Sequence, residues 1–394
     1  MTPIKVCFWT SAFQADTQSL AYALAARDDF EVVVAMDRPD LYRREAVWRL
    51  RPFGGRLVAR GRPWTFLMLK HFAPDILIVD NHVPSYRLAP RVLVLWHGFG
   101  WRNDDISDMR RKLRKHVGDV TRPSPKFIWQ AFGDWDRQYT IEHRAIHPDN
   151  VRALGSAYSD DLLPGSAVHG AFRLDMVADA YQIDVVNQPT VLMGLTWHHR
   201  GAMGNWGDES ELLGRLFAHL RERGANVLMR MHDRRRYPPE YLARLQAAVG
   251  GHNHVQLKFK DQACDSWADF MVSRVLVTNY SSLANPFYYT GKPTVHIDPS
   301  GTPDDYVYRR ATVGKVVEEQ RQPSSGIWKL SPEEHGGLRA RSFAELIEHV
   351  DCALDKPACC QIKAGDFVNR YITSADGHTC ERIARVLRDW IRAP

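Results

Sequence analysis

Residues 91–100 read Arg91-Val92-Leu93-Val94-Leu95-Trp96-His97-Gly98-Phe99-Gly100. The run from Val92 to Trp96 has no polar alternation, the pattern of a strand buried on both faces of a parallel sheet. The histidine and glycines that follow end the strand in a loop. Ligands of open α/β sheets bind at the carboxyl ends of strands, so this stretch points both to a fold class and to a place for chemistry. Glycine permits close backbone approach, and a helix starting after the loop would attract anions.

Working outward, strand and helix patterns alternate, which argues for layered α/β structure. Before residue 91, the sequence predicts strands at Ile4 to Thr10, Phe30 to Met36, Gly55 to Ala59 and Asp75 to Asp80, with helices at Ser19 to Arg27 and Pro63 to Phe72. The pattern then restarts. Strands are expected at Thr190 to Thr196, Ala225 to Met231, Val255 to Phe259, Val275 to Asn279 and Pro293 to Asp298. Helices are expected at Glu209 to Arg223, Pro238 to Val249, Asp265 to Val272 and from Ser281-Ser282 to Tyr289. The tail holds helix patterns at Ser342 to Leu354 and Thr379 to Ile391. The second is amphipathic and basic, so it would either pack on its own protein or lie on a membrane.

At 394 residues the chain fits two domains. With 44% hydrophobic and 25% charged residues, global disorder is excluded. Lys plus Arg exceeds Asp plus Glu by 52 to 46, a net charge of +6. That excess suits nucleic acid, an anionic membrane or a phosphorylated substrate. Aromatic residues are not interleaved with the basic runs, which argues against a nucleic-acid stacking platform. No run of about 18 apolar residues predicts a transmembrane helix, and the N-terminus lacks a signal-peptide pattern. The six cysteines form no C-x-x-C pair, so no zinc site or disulfide framework is expected and the cytoplasm is the expected compartment.

Two further constellations close predicted strands. In Arg230-Met231-His232-Asp233, alternation puts Arg230 and His232 on one side, where they could clamp a diphosphate. In Thr278-Asn279-Tyr280-Ser281-Ser282, a serine is expected to cap the following helix beside free N–H groups, forming a phosphate site. Trp197-His198-His199-Arg200 would line the same cleft. The run Arg110-Arg111-Lys112-Leu113-Arg114-Lys115-His116 reads as a solvated helix face, or a docking face for a membrane or acidic polymer. No G-x-G-x-x-G, P-loop or H-E-x-x-H pattern occurs.

In their order along the chain these strand-end motifs resemble the CDP-glycerol glycerophosphotransferase family of teichoic-acid and capsule synthesis. The resemblance rests on Trp96-His97-Gly98, Gly155 to Asp160, Gly194-Leu195-Thr196-Trp197-His198, Arg230-Met231-His232 and Thr278 to Ser282 with Lys292-Pro293 after, over about half the chain. It implies a GT-B fold: two Rossmann-like domains facing across a cleft, with the last helix crossing back. The expected division is 1–178 for the acceptor domain, 179–370 for the nucleotide-donor domain and 371–394 for the returning helix. It further implies catalytic His97, as base toward the acceptor hydroxyl, and catalytic His232. The donor-side contacts would be Arg230, Thr278, Ser281, Ser282, Gly98, Asp265 and Thr196. Neither a metal nor a cofactor is expected.

The sequence also departs from the family's strings. Phe99 and Gly100 stand where H-G-T-P has Thr and Pro, Asp233 replaces the Pro of R-x-H-P, and Asn279 the Asp of T-D-Y-S-S. Bulky Phe99 and Trp101 are therefore expected to suit a lipid or sugar acceptor. The leading expectation is transfer of a glycerol-phosphate or related polyol-phosphate unit from a CDP-activated donor to a glycan or lipid-linked acceptor. It would act in the cytoplasm, with possible peripheral contact at the membrane. A glycosyltransferase using a nucleotide sugar, a nucleotide-sugar 2-epimerase and a nucleotide- or polyanion-binding protein with an inactive transferase fold stand as alternatives. For the epimerase, no cluster of carboxylates is evident.

Overall fold

The computed structural model describes residues 2–96, 98–101, 106–195, 202–263, 265–298, 306–313, 316–323 and 328–392, with backbone alone for 306–323. In the first half the strands are β1 (Ile4–Trp9), β2 (Phe30–Met36), β3 (Arg56–Ala59), β4 (Ile76–Val79), β5 (Arg91–Val94), β6 (Phe127–Ala131) and β7 (Val151–Ala153). They form one parallel sheet in the order β3-β2-β1-β4-β5-β6-β7, with Cys7 lying between Val33 and Leu77. The helices of this half are α1 (Ala15–Ala25), α2 (Pro39–Tyr42), α3 (Ala46–Leu50), α4 (Pro63–Phe72), α5 (Ser107–Val117), α6 (Asp134–Arg144), α7 (Ser159–Leu162) and α8 (Ala167–Gly170).

The second half repeats the plan. Its strands are β8 (Thr190–Gly194), β9 (Asn226–Met231), β10 (Val255–Phe259), β11 (Ser273–Thr278) and β12 (Thr294–Ile297), then a hairpin of β13 (Tyr306–Val313) and β14 (Val316–Pro323), and β15 (Leu338–Ala340). Apart from the antiparallel hairpin they form a second parallel sheet, β10-β9-β8-β11-β12-β15. Leu192 sits between Leu228 and Leu276. The helices are α9 (Glu209–Glu222), α10 (Pro239–Val249), α11 (Trp267–Val272), α12 (Ala284–Tyr289), α13 (Phe343–Asp355), α14 (Gln361–Tyr371) and α15 (Thr379–Arg392). Strand order reverses between β1 and β4 in one sheet and between β8 and β11 in the other. These reversals are the topological switch points at which such sheets open a crevice.

The expected strands are present, shifted by a residue or two at their ends. Helix α1 begins earlier than the apolar periodicity predicts. Its first turns carry Asp16, Thr17, Gln18 and Ser19, polar residues that suggest a loop, yet all are buried. They face polar partners rather than solvent. Ser156 Oγ donates to Asp16 Oδ1 at 2.7 Å, Ser19 Oγ to Asp161 Oδ2 at 2.5 Å, and Gln18 Nε2 to the Tyr42 hydroxyl at 2.6 Å. Gln18 also reaches Asp265 Oδ1 of the second half at 3.3 Å.

The tail returns to the first half. In α14, Phe367 and Tyr371 pack on Phe99, and a Cβ on Gly133 would come within 2.3 Å of the Tyr371 carbonyl oxygen, so only glycine fits there. Ile383 and Leu387 of α15 are fully buried, the helix packs along α1, and the Trp390 indole donates to the Pro125 carbonyl at 2.7 Å. Its apolar face is thus spent inside the protein rather than on a membrane. No helix among the described residues is long and apolar enough to cross a membrane.

Burial pushes the Asp16 carboxyl up to about 6, although Ser156 and the Tyr158 N–H pull it the other way. A carboxyl raised in the folded state keeps its proton after the unfolded chain has released one. Asp16 therefore subtracts stability progressively as pH rises from about 4 to about 6, and by a constant amount above that. Asp16→Asn is expected to remove this slope: its melting temperature should gain on wild type between these pH values, as read by calorimetry across the range.

Candidate functional site

The first half brings the carboxyl ends of β1, β4 and β5 together. After β5, Gly98 adopts φ +133°, a conformation that L side chains rarely take. The next residues turn inward. Phe99 packs among Phe132, Trp135, Phe367 and Tyr371, and the Lys329 ammonium lies 4.5 Å from its ring centre. Trp101 packs on Tyr280, His296 and Phe367. Only 2% of Phe99 and 1% of Trp101 is exposed. The expectation that they shape an acceptor pocket is therefore corrected: their size fills the core beneath the loop.

After β4, Asp80 is buried and carries His82 on its carboxylate, with Nδ1 2.9 Å from Oδ1. The Thr10 hydroxyl, just past β1, lies 2.6 Å from Asp80 Oδ2. This pair carries no motif in the sequence, although Asp80-Asn81-His82 ends a buried strand just as the residues after β5 do.

The second half supplies the facing charges. Arg230 pairs with Asp269 and donates from Nη2 to the Ala263 carbonyl at 3.2 Å. Asp269 is fully buried and also accepts from Lys258 Nζ at 2.6 Å and the Tyr181 hydroxyl at 2.8 Å. Burial alone would raise the Asp269 carboxyl, but Lys258 and Arg230 outweigh it and hold it below the usual range. Arg230 is thus fixed in a buried ion cluster. Past the end of β9, the His232 main-chain N–H donates to the Tyr237 hydroxyl at 2.9 Å, and its Nδ1 accepts from the Asp233 N–H at 2.8 Å. That bond places the proton of the neutral ring on Nε2. Lys260, just past β10, feels the carboxylates of both Asp233 and Asp80, so its ammonium links the two halves electrostatically. Burial, helped by Arg230 and Arg236, lowers its pKa nonetheless. A lone lysine after a strand carries no motif, and sequence reasoning missed it.

At the second switch point the Thr278 hydroxyl donates to the Gly194 carbonyl at 2.6 Å and accepts from the Ser281 N–H at 3.4 Å. Tyr280 holds φ +60° and stacks on His296 with ring centres 4.6 Å apart. Such a conformation in a bulky residue is costly, and here packing on His296, Trp101 and Trp328 holds it. The expected serine cap is not made. Helix α12 starts at Ala284 after Leu283 with no side-chain cap, Ser281 Oγ accepts instead from the Leu283 N–H at 3.4 Å, and Ser282 is exposed. Backbone order explains the shift: a left-handed Tyr280 followed by a turn delays the helix.

The Gly98 and Ser282 loops meet, for a Cβ on Gly98 would lie 4.0 Å from Ser282 Cβ. Asn285 Nδ2 donates to the Phe99 carbonyl beside them. Gly98, Thr278, Ser281 and Ser282 therefore converge, and Arg230 with His232 lies at the end of β9. Asp265 is elsewhere in kind: it is buried, and its oxygens take the N–H groups of Trp267 at 3.2 Å and Ala268 at 3.3 Å, capping α11. Burial raises its carboxyl, with Asp269 adding to the shift. His97 and Thr196 lie outside the described residues, as do Arg102 and Trp197 to Arg200.

Thr278→Val keeps the shape but removes the donor to the Gly194 carbonyl. Leaving that buried acceptor unpaired is expected to cost about 1–3 kcal/mol in urea unfolding, whereas Thr278→Ser should lose much less.

No protein-family model and no curated protein sequence matches the chain. Among solved structures it is similar to the wall teichoic acid polymerase TagF, in a variant soaked with CDPG, at 12% identity over 100% of this chain and 90% of that one, with a TM-score of 0.69. It is also similar to the UDP-GlcNAc 2-epimerase from Neisseria meningitidis bound to UDP-GlcNAc, at 13% identity over 98% of this chain and 100% of that one, TM-score 0.56. A glycosyltransferase from Rickettsia africae ESF-5 matches at 11% identity over 100% of both chains, TM-score 0.54. At these identities the likeness is one of fold. The chain has the GT-B fold that the motif order implied, with its last helix crossing back to the first half.

Proposed function

We propose that the chain is a transferase that moves a glycerol-phosphate or related polyol-phosphate unit from a CDP-activated donor to a hydroxyl of a glycan or lipid-linked acceptor in cell-surface polymer synthesis. The observation that carries this reading is the meeting of the Gly98 loop of one sheet with Ser282 of the other, in a GT-B frame. In this reading His97 takes the acceptor proton. The acceptor oxygen attacks the donor phosphorus in line, and CMP leaves with the bridging oxygen. Arg230 and Lys260 supply positive charge, and His232 a hydrogen bond from Nε2, where the leaving group develops negative charge. Arg230 does so from a fixed position, because Asp269 holds it. The hydroxyls of Ser281 and Ser282 stand on the diphosphate side, Thr278 shapes the turn that carries them, the motif order assigns Thr196 to the same side, and Asp265 supports it by capping α11.

The test is turnover of CDP-glycerol and a panel of nucleotide sugars, with released CMP, UMP and UDP measured. His97→Ala is expected to lower turnover by about 10²–10⁴-fold with donor binding retained, the range for loss of a general base. His232→Ala should weaken donor binding. The reading fails if no donor is consumed with any acceptor, which would leave a nucleotide-binding protein with an inactive fold. The second reading, a glycosyltransferase, draws support from the likeness to the Rickettsia africae glycosyltransferase. Phosphate in the product decides between them.

We also place peripheral membrane contact on α4 and α5. Trp64 and Leu67 are each 64% exposed, next to exposed Phe66, whose ring meets Tyr86 at 4.6 Å. The loop carrying Tyr86 is tied to α5 through the His116 ring and the Pro84 carbonyl, 2.9 Å apart. Arg62, Lys70, Arg111, Arg114 and Lys115 are exposed on these two helices and at the start of α4. Apolar tips ringed by cations suit an anionic lipid surface. The protein is expected to sediment with phosphatidylglycerol-containing vesicles and not with phosphatidylcholine alone, and Trp64→Ser with Leu67→Ser should abolish this. Equal sedimentation of the double variant would refute the placement.

A further inference from the structure

Asp80 and His82 stand at the switch point of the first sheet, between β1 and β4. Three contacts build the pair. His82 Nδ1 lies 2.9 Å from Asp80 Oδ1, the His82 main-chain N–H donates to that oxygen at 2.8 Å, and the Thr10 hydroxyl lies 2.6 Å from Oδ2. Burial would by itself raise the Asp80 carboxyl, but His82 and Thr10 outweigh it and keep it below the ordinary range, hence ionised. A carboxylate on Nδ1 holds the neutral ring with its proton there and leaves the Nε2 lone pair as an acceptor. The His82 side chain is 40% exposed, whereas that of Asp80 is 8%. An inner carboxylate and an outer imidazole form an oriented base.

Its surroundings match that use. The Leu95 N–H donates to the Val79 carbonyl at 2.7 Å, so the chain leaves β4 toward His82 and β5 toward Gly98 side by side. The Asp80 carboxylate also favours the charged form of Lys260 in the second half, whose main-chain N–H donates to the Met231 carbonyl at 3.0 Å. An Asx-type turn explains the main-chain bond to His82, but not the buried Thr10-Asp80 contact or the side-chain bond to the ring.

We propose that His82, oriented by Asp80, contacts the acceptor hydroxyl and takes up its proton. This rests on the transferase reading above, with the acceptor proton going to His82 in place of His97. The acceptor O–H bond breaks as its oxygen bonds to the donor phosphorus, and the proton goes to His82 Nε2. The phosphorus–oxygen bond to the nucleoside monophosphate breaks, and that oxygen keeps the electron pair. The imidazolium, stabilised by Asp80, then returns its proton to water. Asp80 is a positioning residue.

The experiment uses the full chain with whichever donor and acceptor the turnover panel identifies. His82→Gln is expected to lower kcat by about 10²-fold or more with donor KM unchanged. His82→Gly should regain activity with added imidazole. Asp80→Asn should lower kcat about tenfold at unchanged KM, and Asp80→Glu should restore part of it. Circular dichroism and donor binding by calorimetry identify any variant that misfolds, and imidazole rescue of His82→Gly then decides the matter. The proposal is overturned if His82→Gln keeps kcat within threefold of wild type, or if losses in His82→Gly are not rescued. A wild-type protein inert toward every donor would instead sink the transferase reading, and this proposal with it.

Discussion

Asp161 accepts the Ser19 hydroxyl of α1 and pairs with Arg51 at 2.9 Å, while its main-chain carbonyl takes the Trp267 indole of α11 at 3.2 Å. Around it, Gln18 reaches Asp265, and the hydroxyls of Tyr158 and Ser266 lie 3.4 Å apart. The contacts to Trp267, Asp265 and Ser266 cross from the first half to the second, while Ser19 and Arg51 hold the Asp161 carboxylate from within the first half. A buried polar group left without its partner costs about 1–3 kcal/mol, so the crossing bonds favour one orientation of the halves. The arrangement of the strand ends depends on it. Without that orientation Gly98 and Ser282 would not meet, and Lys260 would not sense Asp80.

Both switch points use a threonine. In the first sheet Thr10 touches Asp80 across β1 and β4; in the second Thr278 bonds Gly194 across β11 and β8. The two fulfil different tasks. Thr278 closes its own backbone, so the exposed Ser282 and half-buried Ser281 are what remain toward a ligand. Thr10 instead steadies a carboxylate that carries a half-exposed histidine. One crevice therefore presents hydroxyls and the other an imidazole held by a carboxylate.

Much of this was legible in the sequence because parallel strands buried on both faces are continuous apolar runs, as at Phe30 to Met36 and Arg91 to Trp96. What escaped has identifiable causes. Strand β7 has only Val151, Arg152 and Ala153, too short for any period. The start of α1 is polar because it faces buried partners, which periodicity reads as solvent. Phe99 and Trp101 gave no hint that α14 would cover them, since that contact joins residues far apart in sequence. The serine positions were found but the cap was not, because nothing in Thr278 to Ser282 announces a left-handed Tyr280. Asp80-Asn81-His82 carries no motif, and its buried contact to Thr10 exists only once β1 and β4 lie side by side.

The segment 98–101 emerges from the first sheet but is gripped by residues beyond it. Asn285 holds the Phe99 carbonyl, and the Trp101 carbonyl accepts the main-chain N–H of Lys329 at 2.8 Å, while the Lys329 ammonium pairs with Asp136 of α6 at 2.6 Å. Mechanically the segment is a shared hinge pin: pulling the two layers apart would strip the backbone partners of Phe99 and Trp101 at once. A gene split between the sheets would thus yield a first fragment with two large aromatic side chains uncovered and a second with amide donors unmatched, so the pieces would have to find each other to finish folding.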